Sequence, residues 1–304
     1  MTDDCGYIVA GRPVPPNLLG ELEDSGALMD NVGALRERLA GDGYVLLRGA
    51  LEEDHVLAAR DEVMCRLAEV GEVRQPAMQG IATGTSRRRE LARDLGAFWT
   101  SVSEGPALRR LTHGRALREL ATMLLGEPAR AFDFVWLRPV PVGRASPLHF
   151  DHVYMNRGSD RVLSLWLPLG DVRPEDGPLM IVEGSQRFDD LKTRYRGHDV
   201  DRDPSRPGSL GVDPLAFARE RGCRLLTGPF AAGDVIAFGM FTLHGSCDNV
   251  SWAGRVRLSC DVRYQPAADA RDERWFGSPP PGHGGGSYGS LSAARPLPEP
   301  PIKR

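Results

Sequence analysis

Apolar and polar positions follow two rhythms along this 304-residue chain, and the change falls near Glu127. Before it, apolar residues recur every three to four positions. "NVGALRERLAGDGYVLLRGALEEDHVLAARDEVMCRLAEVGEV" predicts an amphipathic helix ending near Gly41, a strand Tyr44 to Leu47, and a helix from about 52 to 70. Residues 74–90 read as loop, and further helices are expected over 92–103 and 106–125. After Glu127 the apolar runs are short, β-branched or aromatic, and bounded by Gly, Pro and Asp: "AFDFVWLRPV", "SPLHFD", "RVLSLWLPLGDV", "GPLMIVEGS", "GDVIAFGMFTLHGS" and "RVRLSCDVRYQP". The pattern predicts a mainly β core with flanking helices. It divides the chain into an irregular arm (1–30), a helical lead-in (31–126), a β core (127–266) and a flexible Pro/Gly-rich tail (267–304). Within the core, residues 187–226 form a polar insertion with a helix at 213–221, of the kind that covers substrates.

Composition narrows the partners. With 41% apolar and 26% charged residues the chain is ordinary globular material. A net charge of −3 offers no general attraction to nucleic acid or anionic lipid, so a small-molecule partner is expected. The N-terminal segment carries acids and prolines rather than a signal peptide, and no apolar run of roughly 18 residues occurs, so a cytoplasmic location and no membrane contact are expected. Five scattered cysteines (Cys5, Cys65, Cys223, Cys247, Cys260), without a CxxC, read as reduced, packed thiols. Three motifs are set aside. "HGGGSYG" in the tail has its elements in the wrong order for a serine hydrolase, and no Asp or His follows Ser287. "DVDRDP" places Pro204 where a calcium loop needs Gly. "SRRRE", Ser86 to Glu90, reads as an exposed charge cluster.

The chemistry gathers in "SPLHFDHVYMN". The segment reads as the end of an apolar strand, so His149 and Asp151 share one face while Leu148 and Phe150 pack on the other. In "IAFGMFTLHGS" the same alternation puts His244 on the face of Phe238, Met240 and Thr242. Two imidazoles and one carboxylate with open positions suit Fe(II), although zinc accepts the same ligands. In "GRVRLSCDVRY", Arg255, Arg257, Ser259, Asp261 and Arg263 fall on one face. Buried guanidinium groups need an anionic partner, either a protein carboxylate or a bound acid.

The order HxD, "GPL…VEGSQ", "GDVIAF", "HGS" and an Arg eleven residues after the distal His resembles the phytanoyl-CoA dioxygenase family, over roughly residues 30–266. The resemblance implies a double-stranded β-helix (jelly-roll, cupin-like) core and Fe(II), 2-oxoglutarate and O₂ as cofactors. By it, His149, Asp151 and His244 hold the iron, Arg255 anchors the far carboxylate of 2-oxoglutarate, Ser246 assists, and Trp166 lies beside the cosubstrate. Arg257 departs from the pattern, standing where a small residue is usual. Substrate contacts are expected from His152, Tyr154 and Asn156 just past the ligands, and from Arg257, which would favour an anionic substrate. The implied reaction oxidises an unactivated C–H bond of a small molecule, releasing succinate and CO₂. Hydroxylation is the default, with desaturation, ring formation and epimerisation left open, in secondary-metabolite or amino-acid tailoring. The competing readings are a non-catalytic barrel that binds a small acid, and a metal enzyme of the same fold that does not use 2-oxoglutarate.

Overall fold

A β-rich chain must cover its sheets, and here the N-terminal third supplies that cover. A computed structural model of the protein describes residues 6–299. The first elements are strands β1 (Ile8–Val9), β2 (Arg12–Pro13) and β3 (Leu19–Glu21). Helix α1 (Val32–Asp42) follows, then strand β4 (Tyr44–Leu47) and helix α2 (Glu53–Glu69). Asn31 caps α1 by accepting the Ala34 N–H, and Gly43 ends it in the left-handed region at φ 81°. Beyond lie the short α3 (Arg88–Leu91), α4 (Leu95–Ser103), α5 (Pro106–Thr112) and α6 (Arg115–Leu125). The single helix expected over 106–125 is therefore two. It breaks at His113 and Gly114, where a Cβ on Gly114 would lie 2.4 Å from the Arg110 carbonyl. In α6, Leu117, Leu120, Ala121 and Leu124 are buried at the three-and-four spacing of a core-facing helix.

The core strands are β5 (Ala129–Val140), β6 (Leu163–Pro168) and β7 (Leu179–Val182). After the insertion helices α7 (Asp189–Arg196) and α8 (Pro214–Arg221) come β8 (Leu225–Thr227), β9 (Val235–Gly239), β10 (His244–Ser246) and β11 (Arg257–Pro266). They form a five-stranded sheet, β4-β9-β6-β11-β5, and a four-stranded sheet, β10-β7-β8-β3. Trp166, Ile236 and Phe238 of the first sheet share one apolar cluster with Leu179, Ile181 and Leu226 of the second, so the sheets face each other across a common core.

Four expectations need correction. The 1–30 arm is not wholly irregular: β3 runs parallel to β8 and extends the smaller sheet. The segment read as one strand over 233–246 is two, because the chain turns at Gly239, whose carbonyl accepts the Thr242 N–H at 3.0 Å, and crosses to the other sheet. "SPLHFD" is not a strand: His149 makes only single bridges, to Ser209 and His244, and Asp151–Val153 is a turn of 3₁₀ helix. The described tail is not flexible. It winds through four 3₁₀ turns and buries Trp275 and Tyr288 completely, with Ala294 and Leu297 behind them.

The tail is held by a group read as exposed. Arg88 is fully buried; its Nη2 donates to Glu72 at 2.6 Å and its Nη1 to the carbonyls of Ala293, Ala294 and Arg295 at 2.7 to 3.0 Å. Arg87, Arg89 and Glu90 of that cluster keep exposed side chains. The 187–226 insertion folds against the HxD segment, with Val200 N–H donating to Val153 O and Leu210 N–H to Leu148 O. The expected helix is present as α8 with Asp213 as its cap, and α7 is an addition that charge had obscured. Cys223, Cys247 and Cys260 are buried free thiols and Cys65 is an exposed one, while Cys5 lies outside the described residues.

Candidate metal centre

His149 and Asp151 occupy a corner between the sheets, and His244 opens β10 beside them. The His149 backbone N–H donates to the His244 carbonyl at 2.9 Å, which ties the two segments together. One nitrogen of each imidazole and one carboxylate oxygen of Asp151 all lie within 4.8 Å of one another. Each imidazole is oriented from behind: His149 Nδ1 donates to the Pro147 carbonyl at 2.8 Å and His244 Nδ1 to the Thr242 carbonyl at 2.9 Å. With the protons held on Nδ1, both Nε2 lone pairs point inward, each 3.8 Å from Asp151 Oδ1. Burial, then the neighbouring His244, pushes His149 down to about 3, and burial lowers His244 as well. Both rings are therefore neutral donors near neutral pH.

Asp151 is the opposite case. Burial alone would raise its carboxyl, but Arg263, then the two imidazoles and the Ser164 hydroxyl, hold it far below the usual carboxylate range. Arg263 Nη2 reaches its two oxygens at 3.1 and 3.0 Å, and the guanidinium lies 4.0 Å over the Trp136 ring. Behind Arg263, Asp261 accepts from Arg138 of β5. The alternation of β11 is what delivers Arg257, Ser259, Asp261 and Arg263 to this interior face. Two neutral nitrogens and an anionic oxygen, fixed from behind and convergent, fit a divalent metal.

The two arginines expected to work side by side separate. β11 begins at Arg257, so the alternation does not extend back to Arg255. Arg255 donates to the Asp171 carbonyl at 3.2 Å, lies 3.7 Å from Asp176, and borders a different depression together with Arg60 and Trp252. Arg257 is buried, donates Nε to the Gly177 carbonyl at 3.1 Å and Nη1 to the Ser259 hydroxyl, and has no ion-pair partner among the described residues. Burial, then the nearby Arg138, pushes it down to about 10. Gly177 adopts φ 77°, and a Cβ there would meet Asn249 N and the Cys247 carbonyl at 2.8 Å, so the approach that gives Arg257 its acceptor needs glycine.

The remaining expected residues divide. Trp166 is buried between the sheets, its ring 4.8 Å from Phe230. Ser246 Oγ accepts the Ser146 N–H at 2.8 Å. Tyr154 lines the cavity that opens on the metal ligands, its ring 5.8 Å from His149. His152 and Asn156 point away from it. His152 Nε2 donates to the Arg196 carbonyl at 2.7 Å and the ring stacks on Phe241, while Asn156 Nδ2 donates to the His198 carbonyl at 2.7 Å. Both hold the insertion, because the 3₁₀ turn after Asp151 replaces strand alternation with a three-residue period. The cavity itself is about 620 Å³, and its outer wall is the tail from Ser290 to Glu299. Arg263 was within reach of sequence reasoning, since it shares the polar face of β11; the tail wall was not, because it follows no period.

A metal-ligand triad of two histidines and one aspartate between two facing sheets defines the class. The profile of the phytanoyl-CoA dioxygenase (PhyH) family matches residues 39–256, and the chain belongs to that family of oxidoreductases. It is similar to a 1-deoxypentalenic acid 11-beta-hydroxylase of Streptomyces exfoliatus, with 28% identity over 264 residues, covering 83% of this chain and 88% of that one. An ectoine dioxygenase of Bordetella bronchiseptica is 29% identical over 266 residues, covering 82% and 79%. Among solved structures, the non-heme alpha ketoglutarate dependent epimerase SnoN from nogalamycin biosynthesis shares the fold, with a TM-score of 0.54 and 24% identity over 80% of this chain and 85% of that one. The same epimerase is also solved with Fe3+, alpha ketoglutarate and nogalamycin RO. No helix among the described residues is long and apolar enough to cross a membrane.

Proposed function

We propose that the protein is an Fe(II)- and 2-oxoglutarate-dependent dioxygenase with a double-stranded β-helix core, hydroxylating a small molecule in secondary-metabolite or amino-acid tailoring. The observation that carries this reading is the convergence of His149, Asp151 and His244 within 4.8 Å, with His149 and Asp151 lining a cavity of about 620 Å³. His149 and His244 hold the iron through Nε2 and Asp151 through a carboxylate oxygen. When bound there with 2-oxoglutarate and oxygen, the iron supplies oxidation of a C–H bond with release of succinate and CO₂. Arg263 and Ser164 keep Asp151 ionised and in place, so the ligand cannot rotate or take up a proton. Arg257, a buried cation without a carboxylate partner, receives the far carboxylate of 2-oxoglutarate, with the Ser259 hydroxyl beside it. That role passes from Arg255, whose guanidinium faces Asp176. Tyr154 and the tail enclose the substrate side and keep bulk water from the ligands. The retained carboxylate ligand opposes halogenation, because chloride would need its position.

Anaerobic addition of Fe(II) and 2-oxoglutarate together tests this. A weak visible charge-transfer band is expected that neither additive gives alone, and that His149→Ala and His244→Ala abolish. Absence of the band in the wild-type protein would overturn the reading.

A further inference from the structure

Four arginines line the cavity above the metal ligands: Arg138, Arg144, Arg263 and Arg295. The two inner ones are neutralised, Arg138 by Asp261 and Arg263 by Asp151. The two outer ones have no such pair among the described residues. Arg144 reaches only the Glu299 carbonyl, at 3.5 Å, and neither Arg144 nor Arg295 has an ion-pair partner among the described residues. Glu299 lines the same cavity, but both of its oxygens sit in the fork of Arg89, at 2.6 and 2.7 Å, so it offers Arg295 only a longer-range attraction. Both guanidinium groups belong to half-buried residues, and the cavity they share is lined mostly by apolar residues, Val140, Pro141, Leu291, Pro296 and Leu297 among them, with Ser146, Ser209, Ser290 and Ser292 interspersed.

From this charge balance we infer that the substrate is a largely apolar small molecule carrying one anionic acid group, which Arg144 and Arg295 hold so that its hydrocarbon body lies towards His149 and Asp151. The inference rests on reading those ligands as the oxidising centre. An apolar cavity of this size orients a hydrocarbon body only loosely, and a paired guanidinium grip at one end supplies the direction that selects one C–H bond. Arg's planar fork matches a carboxylate, and a partly desolvated pair of cations gains most by meeting an anion. Arg295, Leu291, Pro296 and Leu297 lie beyond residue 256, where the family match ends, so specificity is written in a segment the shared family core does not contain.

The test uses a rigid apolar pair of probes, 1-adamantaneacetate and 2-(1-adamantyl)ethanol, titrated calorimetrically into the full-length protein and into Arg144→Gln/Arg295→Gln. The wild-type protein is expected to bind the acid about tenfold more tightly than the alcohol. The double variant is expected to lose that preference and keep its affinity for the alcohol. Equal binding of acid and alcohol by the wild-type protein, binding of neither, or a preference that survives in the double variant overturns the inference. The visible band of Fe(II) with 2-oxoglutarate, read separately on the wild-type protein, distinguishes the two readings: its absence removes the oxygenase and leaves the acid preference standing or falling by itself.

Discussion

Arg263 Nη2 lies 3.0 Å from one carboxylate oxygen of Asp151 and 3.1 Å from the other. Both side chains are buried, at 1% and 2% exposure, so this is an ion pair withdrawn from water. Breaking such a pair leaves an uncompensated charge and costs about 3–5 kcal/mol. Arg263→Met is therefore expected to lower stability by that amount in urea denaturation without metal. A bound divalent ion would restore positive charge beside Asp151, so added Mn(II) should recover part of the loss. An equal loss with and without the ion would show that Arg263 serves packing on Trp136 rather than the ligand.

The separation of Arg257 from Arg255 gives a direct contrast. Arg257→Leu should weaken 2-oxoglutarate binding about 100-fold, the worth of a buried charge-assisted pair of hydrogen bonds. Arg255→Leu should change it less than about threefold, since that guanidinium faces Asp171 and Asp176. The KM for 2-oxoglutarate measures both, and the reverse ranking would return the anchor to Arg255.

The tail can be tested as a packed element. Trp275 is fully buried, its ring 5.2 Å from Phe134 and 4.9 Å from Trp136. Trp275→Ala is expected to cost about 3–5 kcal/mol in chemical denaturation, as for other large core residues. A tail that merely trailed in solvent would lose nothing.

The insertion is joined to the tail by ionised carboxylates. Burial alone would raise Asp199, but the Arg157 fork, at 2.6 and 2.9 Å, and the neighbouring Asp201 N–H and Arg274 bring it from 3.8 to about 2. A depressed carboxyl stabilises the fold above its unfolded value, and that contribution disappears as pH falls through the folded value. The stability difference between wild type and Asp199→Asn should be about 2 kcal/mol at pH 6 and shrink steadily from pH 5 to pH 2. Paired urea denaturation curves across that range measure it, and a constant difference would exclude the linkage.

Much of the metal centre was legible from residue types. A His and an Asp two apart, with a later His beside "GS", are costly to bury except around a cation, and the family order of motifs gave them context. Helices α1 and α2 were legible too, because their periodic stretches are bounded by local signals such as Asn31, whereas the break at His113 and Gly114 was not. Alternation was a sound guide only inside a strand. It carried Ser259, Asp261 and Arg263 to the interior face of β11, and it misplaced Arg255, which stands before that strand begins.

What the sequence by itself determined, then, is the set of groups able to bind a metal and the order of the elements that carry them, since both depend on side-chain chemistry and on contacts within a few residues. Only the tertiary structure decided which guanidinium meets the interior without a partner, where the chain crosses from one sheet to the other, and that a Gly- and Pro-rich tail closes the cavity. Those outcomes depend on distant pairings, of Arg88 with the Ala293 to Arg295 carbonyls and of Arg257 with Gly177, whose free energy exists only once the two sheets have come together.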